Sequence, residues 1–340
     1  MSSSIFQTKE WEDFKLNTGY EKSYRIDDLF VLQKKLPFGR TMLYSPMVDQ
    51  NIEYRIKNKA FLEEVKKTAK ENNSIFYRLE LGFATTNDQL LTTDGFVKAF
   101  EEMQPENTII LDISKSEEEI LAQMKPKGRY NIKIAEKNGI EIQKTTNIDA
   151  FYHLYETMAK RQKISYRSRK YFQNLIDILG KSGYCEVFEA TLSKRHCEER
   201  SDEAIFCVDR PVLSEVEGLP RPDGLAMTKQ NDAILASAII SFYDNTAIYL
   251  FGGSSNEHRN LMAPYKLHWE IIKEAKRRGL TKYDFFGIAP QNQPNHPWAG
   301  VTRFKQQFGG EEVELLGSWD LIFKPTEYQL FKVLEKMRRK

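Results

Sequence analysis

The chain has 340 residues, with 50 Lys and Arg against 48 Asp and Glu, for a formal net charge of +2. This balance argues against a global polyanion binder while permitting local basic patches, and the length suits about two domains. The cysteines Cys185, Cys197 and Cys207 form no CxxC pair, the N-terminal MSSSIFQTKEWEDF has no apolar signal core, and no run approaches the ~20 apolar residues of a membrane span, so a cytoplasmic protein is expected.

Trp11–Phe14 suits a short amphipathic helix. Residues 24–33 read as a strand with a turn at Asp27 and Asp28, residues 36–40 (LPFGR) as a turn, and Met42–Tyr44 as a short strand. A helix over 56–72 places Ala60, Phe61, Val65 and Ala69 on one face. Residues 74–81 (SIFYRLEL) alternate Ile75, Tyr77 and Leu79 with Phe76, Arg78 and Glu80, which reads as a strand. Residues 82–107 are polar and turn-rich, with a short helix expected at Phe96–Met103. A strand at Thr108–Asp112 precedes a helix opened at Ser114 by a capping-box pattern.

A basic block follows, with Lys125, Lys127, Arg129, Lys133 and Lys137 in an expected helix–turn–helix. It reads either as a phosphate-facing patch or, preferably on charge alone, as a solvated helix buried on Tyr130, Ile134 and Ala135. The second half restarts the pattern. A strand at 140–144, helices at 148–161 and 169–179, and strands at 185–191, 234–243 and 247–251 are expected. A Gly-Gly-Ser-Ser turn at Gly252–Ser255 then leads into a helix with Leu267, Ile271 and Ala275 on one face, Pro264 in its first turn and Gly279 at its stop. Another strand (Tyr283–Ile288) and a Pro/Asn/His/Trp loop lead to Arg303, Phe304 and Lys305. A helix from Pro325 to Lys340 turns Leu330, Phe331 and Leu334 inward, and its last turns are basic. Such residues are ordinary at a helix C-terminus, with a membrane- or RNA-facing tail as the weaker reading.

Residues 195–229 break the pattern. YCEVFEATLS before them and AILASAIISFY after them would make an antiparallel hairpin if joined by a short turn. The segment is charged, contains three prolines and has no sustained period. Its pieces RHCEERSDEAI and VLSEVEGLPRPDGLAMT resemble translated mobile repeat elements, so a disordered insertion is expected, tolerated because loop-closure entropy grows slowly with length. His196, Cys197 and Cys207 lack paired metal-ligand spacing, and no metal site is expected.

The stretch Tyr249–Gly310 and the block Met124–Gly139 (MKPKGRYNIKIAEKNG) together resemble the Fem-type (FemABX) peptidoglycan bridge aminoacyltransferases. The likeness runs from about Lys34 to Asp320, apart from the insertion. It implies an α/β (α+β) fold of two GNAT-like acyltransferase domains with mixed sheets flanked by helices, divided here as 1–145 and 146–340. No sustained heptads are present, so no coiled-coil arm is expected. The function implied is transfer of an amino acid from aminoacyl-tRNA to the stem-peptide amine of a peptidoglycan precursor, a muramyl-pentapeptide that is lipid-linked or UDP-linked. The place where acetyl-CoA enzymes carry a glycine-rich pyrophosphate loop holds NEHRNLMA at 256–263. That argues against acetyl-CoA, and no cofactor is expected.

By the same resemblance Lys305 is the cation at the developing oxyanion, beside Phe304. Arg259 and Tyr265 hold the precursor's phosphate and peptide, and Tyr249 belongs to the substrate site. Asp284 either orients an amine or binds a backbone turn. His296 is either a base or structural, whereas His258 and His268 read as surface or packing residues. Arg40 matches a phosphate-binding position or is a solvated turn residue. After it the family carries Pro-Arg-Gly-Pro where this chain has SPMVD at 45–49. A monomer is expected, with contact at the inner face of the plasma membrane as a further option. The competing functions are another aminoacyl-tRNA-dependent GNAT-like transferase and a non-catalytic precursor-binding protein.

Overall fold

The protein is described by a computed structural model that covers residues 4–49, 51–84, 89–192, 226–227, 233–291 and 293–338. Helix α1 (Lys9–Leu16) is capped by the Thr8 side chain, which accepts from the Trp11 amide. Strands β1 (Lys22–Ile26) and β2 (Leu29–Leu36) form a hairpin. Its turn residues Asp27 and Asp28 have φ of 48° and 63°, the left-handed pair that a two-residue turn needs. After a second tight turn at Phe38 and Gly39, β3 (Arg40–Val48) leads through α2 (Ile52–Lys57) and α3 (Lys59–Glu71) to β4 (Ser74–Leu81), parallel to β3. Next come α4 (Gln89–Thr93) and β5 (Phe96–Lys98). Phe96–Lys98 is thus an edge strand pairing with residues 319–321, not the start of the expected helix.

The chain then passes through β6 (Asn107–Asp112), α5 (Glu117–Gln123), α6 (Pro126–Lys137), β7 (Ile140–Thr145) and α7 (Ile148–Gln162). The capping box belongs to Ser116 with Glu119, two residues beyond the expected Ser114, whose own hydroxyl is engaged by Asp112. Helix α8 (Arg169–Leu175) runs into a π turn at Ile176–Gly180 and then β8 (Cys185–Leu192). The expected insertion at 195–229 lies outside the described residues except for β9 (Ala226–Met227), which pairs with Ala233 and Ile234. Strands β8 and β10 (Ala233–Tyr243) pair antiparallel as the flanking sequence required. The remainder is β11 (Thr246–Ser254), α9 (Ala263–Arg277), β12 (Lys282–Asp284), α10 (Ala299–Lys305), β13 (Glu311–Glu314), β14 (Gly317–Ile322) and α11 (Pro325–Arg338).

These strands form two mixed sheets, ordered β1-β2-β3-β4-β14-β5 and β13-β6-β12-β11-β10-β8-β7. Six strands correspond in order, and β7 is an additional strand at one edge of the second sheet. Each sheet has an antiparallel pair (β2/β3, β10/β11), then a parallel pair bridged by helix (β3/β4, β11/β12), then two antiparallel neighbours. The strand beside each parallel pair comes from the other half of the chain: β14 enters the first sheet and β6 the second. The sheets therefore do not divide at residue 145. The chain changes sheet between β5 and β6, and again between β13 and β14.

The exchange is sealed by buried polar groups. Arg78, 1% exposed, is bidentate on Asp320 of β14 at 2.8 and 2.7 Å, and Tyr328 donates to the same carboxylate at 2.6 Å. Glu80 accepts from the Met103 and Gln104 amides and from the Ser318 hydroxyl. The polar face of SIFYRLEL thus lies under α11 and the 100–106 segment, and both faces of β4 are buried. In α11 the inward residues are Tyr328 and Phe331, while Leu330 is 52% exposed, against the expectation for Leu330. In α6, Ile132 and Ala135 are buried and Tyr130 is 64% exposed. The longest helices among the described residues, α7 and α9, have 15 residues each, too short for a projecting arm.

Candidate active site

The parallel pairing of β11 and β12 covers only Thr246–Ile248 against Lys282–Asp284. Beyond it β11 runs on to Ser254, while the other chain follows β6 through Phe285 N–Ile109 O and Ile288 N–Asn107 O bonds of 2.9 Å. The strands part, and a cleft of about 1000 Å³ opens between them and extends to α1. The expected Gly-Gly turn is the last part of β11. A Cβ on Gly253 would sit 2.5 Å from the Leu154 carbonyl carbon of α7, so glycine here serves close helix–strand packing and not a turn. The expected strand Tyr283–Ile288 ends at Asp284 for a matching reason: Phe286 takes φ 52°.

Asp284 holds that bend. Its carboxylate accepts from the Phe286 amide at 2.7 Å and from the Thr108 hydroxyl, so of its two expected roles the geometry gives the backbone turn. Burial raises its pKa, opposed by those hydrogen bonds and by Lys305. The bend aims two carbonyls at Lys305, whose Nζ donates to Phe286 O at 2.6 Å and Gly287 O at 2.7 Å. Lys305 is 5% exposed, with its ammonium 5.3 Å from the Tyr249 ring centroid. Burial pushes its pKa down to about 7 against the pull of Asp284.

Around the lysine stands an aromatic wall. His268, 2% exposed, presents its ring edge-on to Tyr249 at 4.5 Å, and its Nδ1 lies 2.8 Å from the Tyr283 hydroxyl. Burial, with Lys305 nearby, pushes His268 down to about 3, so it is neutral. Tyr265 stacks on Phe308 at 5.7 Å and meets Phe304 edge-on at 5.0 Å. Asn131 of α6 also lines the cleft, and its buried Nδ2 has no partner among the described residues. Arg259 is exposed and lines the cleft beside Arg161, which donates to Ser254 O at 3.3 Å.

The structure thus brings together Lys305, Phe304, Tyr249, Tyr265 and Arg259, with Asp284 behind the lysine. It leaves two expected residues outside the cleft lining. Arg40 forms a bidentate ion pair with Glu327 of α11, and His296 Nδ1 accepts the Trp298 amide at 3.1 Å.

Sequence reading missed the part of the cleft lined by α1. There Lys15, 7% exposed, lies over Trp11 and Tyr20, 5.8 and 5.0 Å from their centroids. Burial, then the neighbouring Arg167, pushes its pKa down to about 8. Neither residue carries a local signal. Lys15 reads as one more solvated helix lysine and Arg167 as a loop residue, and only folding places them in one cleft. Among the described residues no cluster of His, Cys, Asp or Glu is placed to hold a metal ion, and no helix is long and apolar enough to cross a membrane.

The profile of the FemAB family matches residues 63–204 and 222–336. The chain belongs to the FemAB family. A lipid II:glycine glycyltransferase of Staphylococcus haemolyticus is 24% identical over 385 aligned positions, spanning 97% of this chain and 91% of its own length. That of Staphylococcus aureus gives the same identity and coverage. The crystal structure of FemX superposes with a TM-score of 0.76 at 20% identity, covering 97% of this chain and 94% of that one. L-PGS from Bacillus licheniformis follows at 0.52 and 11% identity, covering 95% and 93%. At these identities the structural likenesses speak for the fold. This FemAB-family chain therefore carries the two-sheet FemX fold, with the cleft at its β11/β12 split.

Proposed function

We propose that the chain moves an amino acid from aminoacyl-tRNA to the stem-peptide amine of a peptidoglycan precursor. One observation carries the reading: a buried lysine, oriented by two carbonyls, in a cleft whose lining also holds the cations Lys15 and Arg167. The curated relatives are lipid II:glycine glycyltransferases, which supports an acceptor of this class.

The chemistry needs little from the protein. The ester of an aminoacyl-tRNA is already activated, and a neutral amine attacks it. A C–N bond forms, the C–O bond to the ribose breaks, and the proton lost by the amine ends on the departing ribose hydroxyl. Lys305 spends two N–H groups on Phe286 O and Gly287 O and has a third for the carbonyl oxygen as it becomes an oxyanion. Asp284 acts through the bend as a positioning residue. Tyr249, Tyr265 and Phe304 exclude water and orient the acyl and peptide groups. Lys15, Arg167 and Arg259 line one cleft and suit the acceptor's pyrophosphate.

The test is transfer of labelled amino acids from a charged tRNA pool to UDP-linked and lipid-linked muramyl-pentapeptide, with wild type and Lys305→Ala side by side. Label on a precursor with wild type alone is the expected result. Precursor binding with no label from wild type overturns transfer in favour of a non-catalytic binding protein.

A further inference from the structure

The outer face of α11 is apolar where a helix packed on one side should be polar. Leu330, Val333 and Met337 are 52%, 54% and 69% exposed. Their i, i+3, i+7 spacing makes one outward stripe, opposite the buried Tyr328 and Phe331. At 100° per residue Lys336 borders the stripe on one side and Arg338 on the other. The helix's acids are engaged within the protein, Glu327 by Arg40 and Glu335 by Arg338, so Lys332 and Lys336 set the sign of the surface.

Two further features adjoin it. The Arg40–Glu327 pair fastens the β2–β3 turn to the first turn of α11, and that turn carries Phe38, 80% exposed. Further along the helix, Tyr328 and Phe331 share a buried cluster with Tyr20, and the Lys15 ammonium lies 5.0 Å from the Tyr20 ring centroid. Helix α11 therefore packs on the side of the molecule that carries Lys15.

We propose that α11 and the β2–β3 turn dock on an anionic membrane surface, holding the Lys15–Arg167 part of the cleft where the pyrophosphate of a lipid-linked acceptor emerges from the bilayer. An apolar stripe flanked by cations is the pattern of an interfacial helix, which combines apolar insertion with attraction to anionic lipid. A protein partner or a second copy has no such need for the positive charge of Lys336, exposed beside the stripe and unpaired among the described residues. The inference rests on the transferase reading and selects the lipid-linked acceptor within it. It also gives Arg40 a task other than phosphate binding.

The test uses the full chain with vesicles of phosphatidylglycerol and phosphatidylcholine, or of phosphatidylcholine alone, and the variant Val333→Asp/Met337→Glu, whose substituted side chains are exposed. Wild type is expected to sediment with the anionic vesicles only, less so as salt rises, and the variant to bind about tenfold more weakly. Transfer to lipid-linked acceptor in vesicles is expected to fall in parallel, while transfer to UDP-linked acceptor in solution keeps its rate. Wild type remaining in the supernatant, or a variant that sediments equally well, overturns the proposal. So does a wild-type dimer in solution that the variant converts to monomer, which would make the stripe a contact between copies. Failure of wild type to transfer to either acceptor counts against the enzymatic reading alone, because sedimentation still decides the docking.

Discussion

Lys305 shows how burial converts an ordinary side chain into a chemical group. Its ordinary pKa of 10.5 falls to about 7 because desolvation disfavours the ammonium more than Asp284 favours it. If the ammonium is the oxyanion's partner, its share of catalysis is present below pH 7 and lost as pH rises through that value. The wild-type to Lys305→Arg ratio of kcat is therefore expected to fall between pH 6 and pH 8, since arginine stays charged throughout. Lys305→Ala is expected to lose about 10²–10³ in kcat with the fold retained, checked by steady-state kinetics beside circular dichroism. Arg167→Ala is expected to act on binding, raising KM for the acceptor about tenfold with little change in kcat. The site's lysine and aromatics were legible through family motifs that lie in continuous sequence. Lys15 and Arg167 were not, because their meaning comes from a neighbour about 150 positions away.

At the scale of elements, local chemistry read well where local forces decide. The Asp27–Asp28 turn and the Pro264–Gly279 limits of α9 both follow from backbone preferences. Elements governed by distant partners read badly. Phe96–Lys98 is a strand because β14 offers it an edge, and Gly253 continues β11 where α7 lies close against it. Gly253→Ala is expected to cost about 1–3 kcal/mol through that contact, read as a lower urea midpoint. Arg78 on β4 is sealed against Asp320 on β14. Asp320→Ala is expected to destabilise by about 3–5 kcal/mol, because it leaves a buried guanidinium without its main partner, and urea titration measures it.

For the whole molecule, reciprocal exchange of β6 and β14 makes each sheet depend on both halves of the chain. A fragment ending at residue 145 lacks β14, and its β6 lacks β12 and β13. It is expected to remain without fixed tertiary structure, shown by poor amide dispersion in NMR, where an independent domain would give a resolved spectrum. Removal of 195–229 is expected to behave oppositely. It joins β8 to β10, which already pair antiparallel, and both melting temperature and transfer activity should persist.

By itself the sequence determined the class of fold, most of its strands and helices, the hairpin interrupted at 195–229 and the motif around Lys305, because each is written in neighbouring residues whose spacing carries the physics. Only the tertiary structure decided which strand completes which sheet, that Arg40 belongs to α11 and not to the cleft, and that α1 supplies a cation to a site built by β11 and α10. Those outcomes rest on burial and on long-range pairing, where the energy of a contact depends on what the rest of the chain brings to meet it.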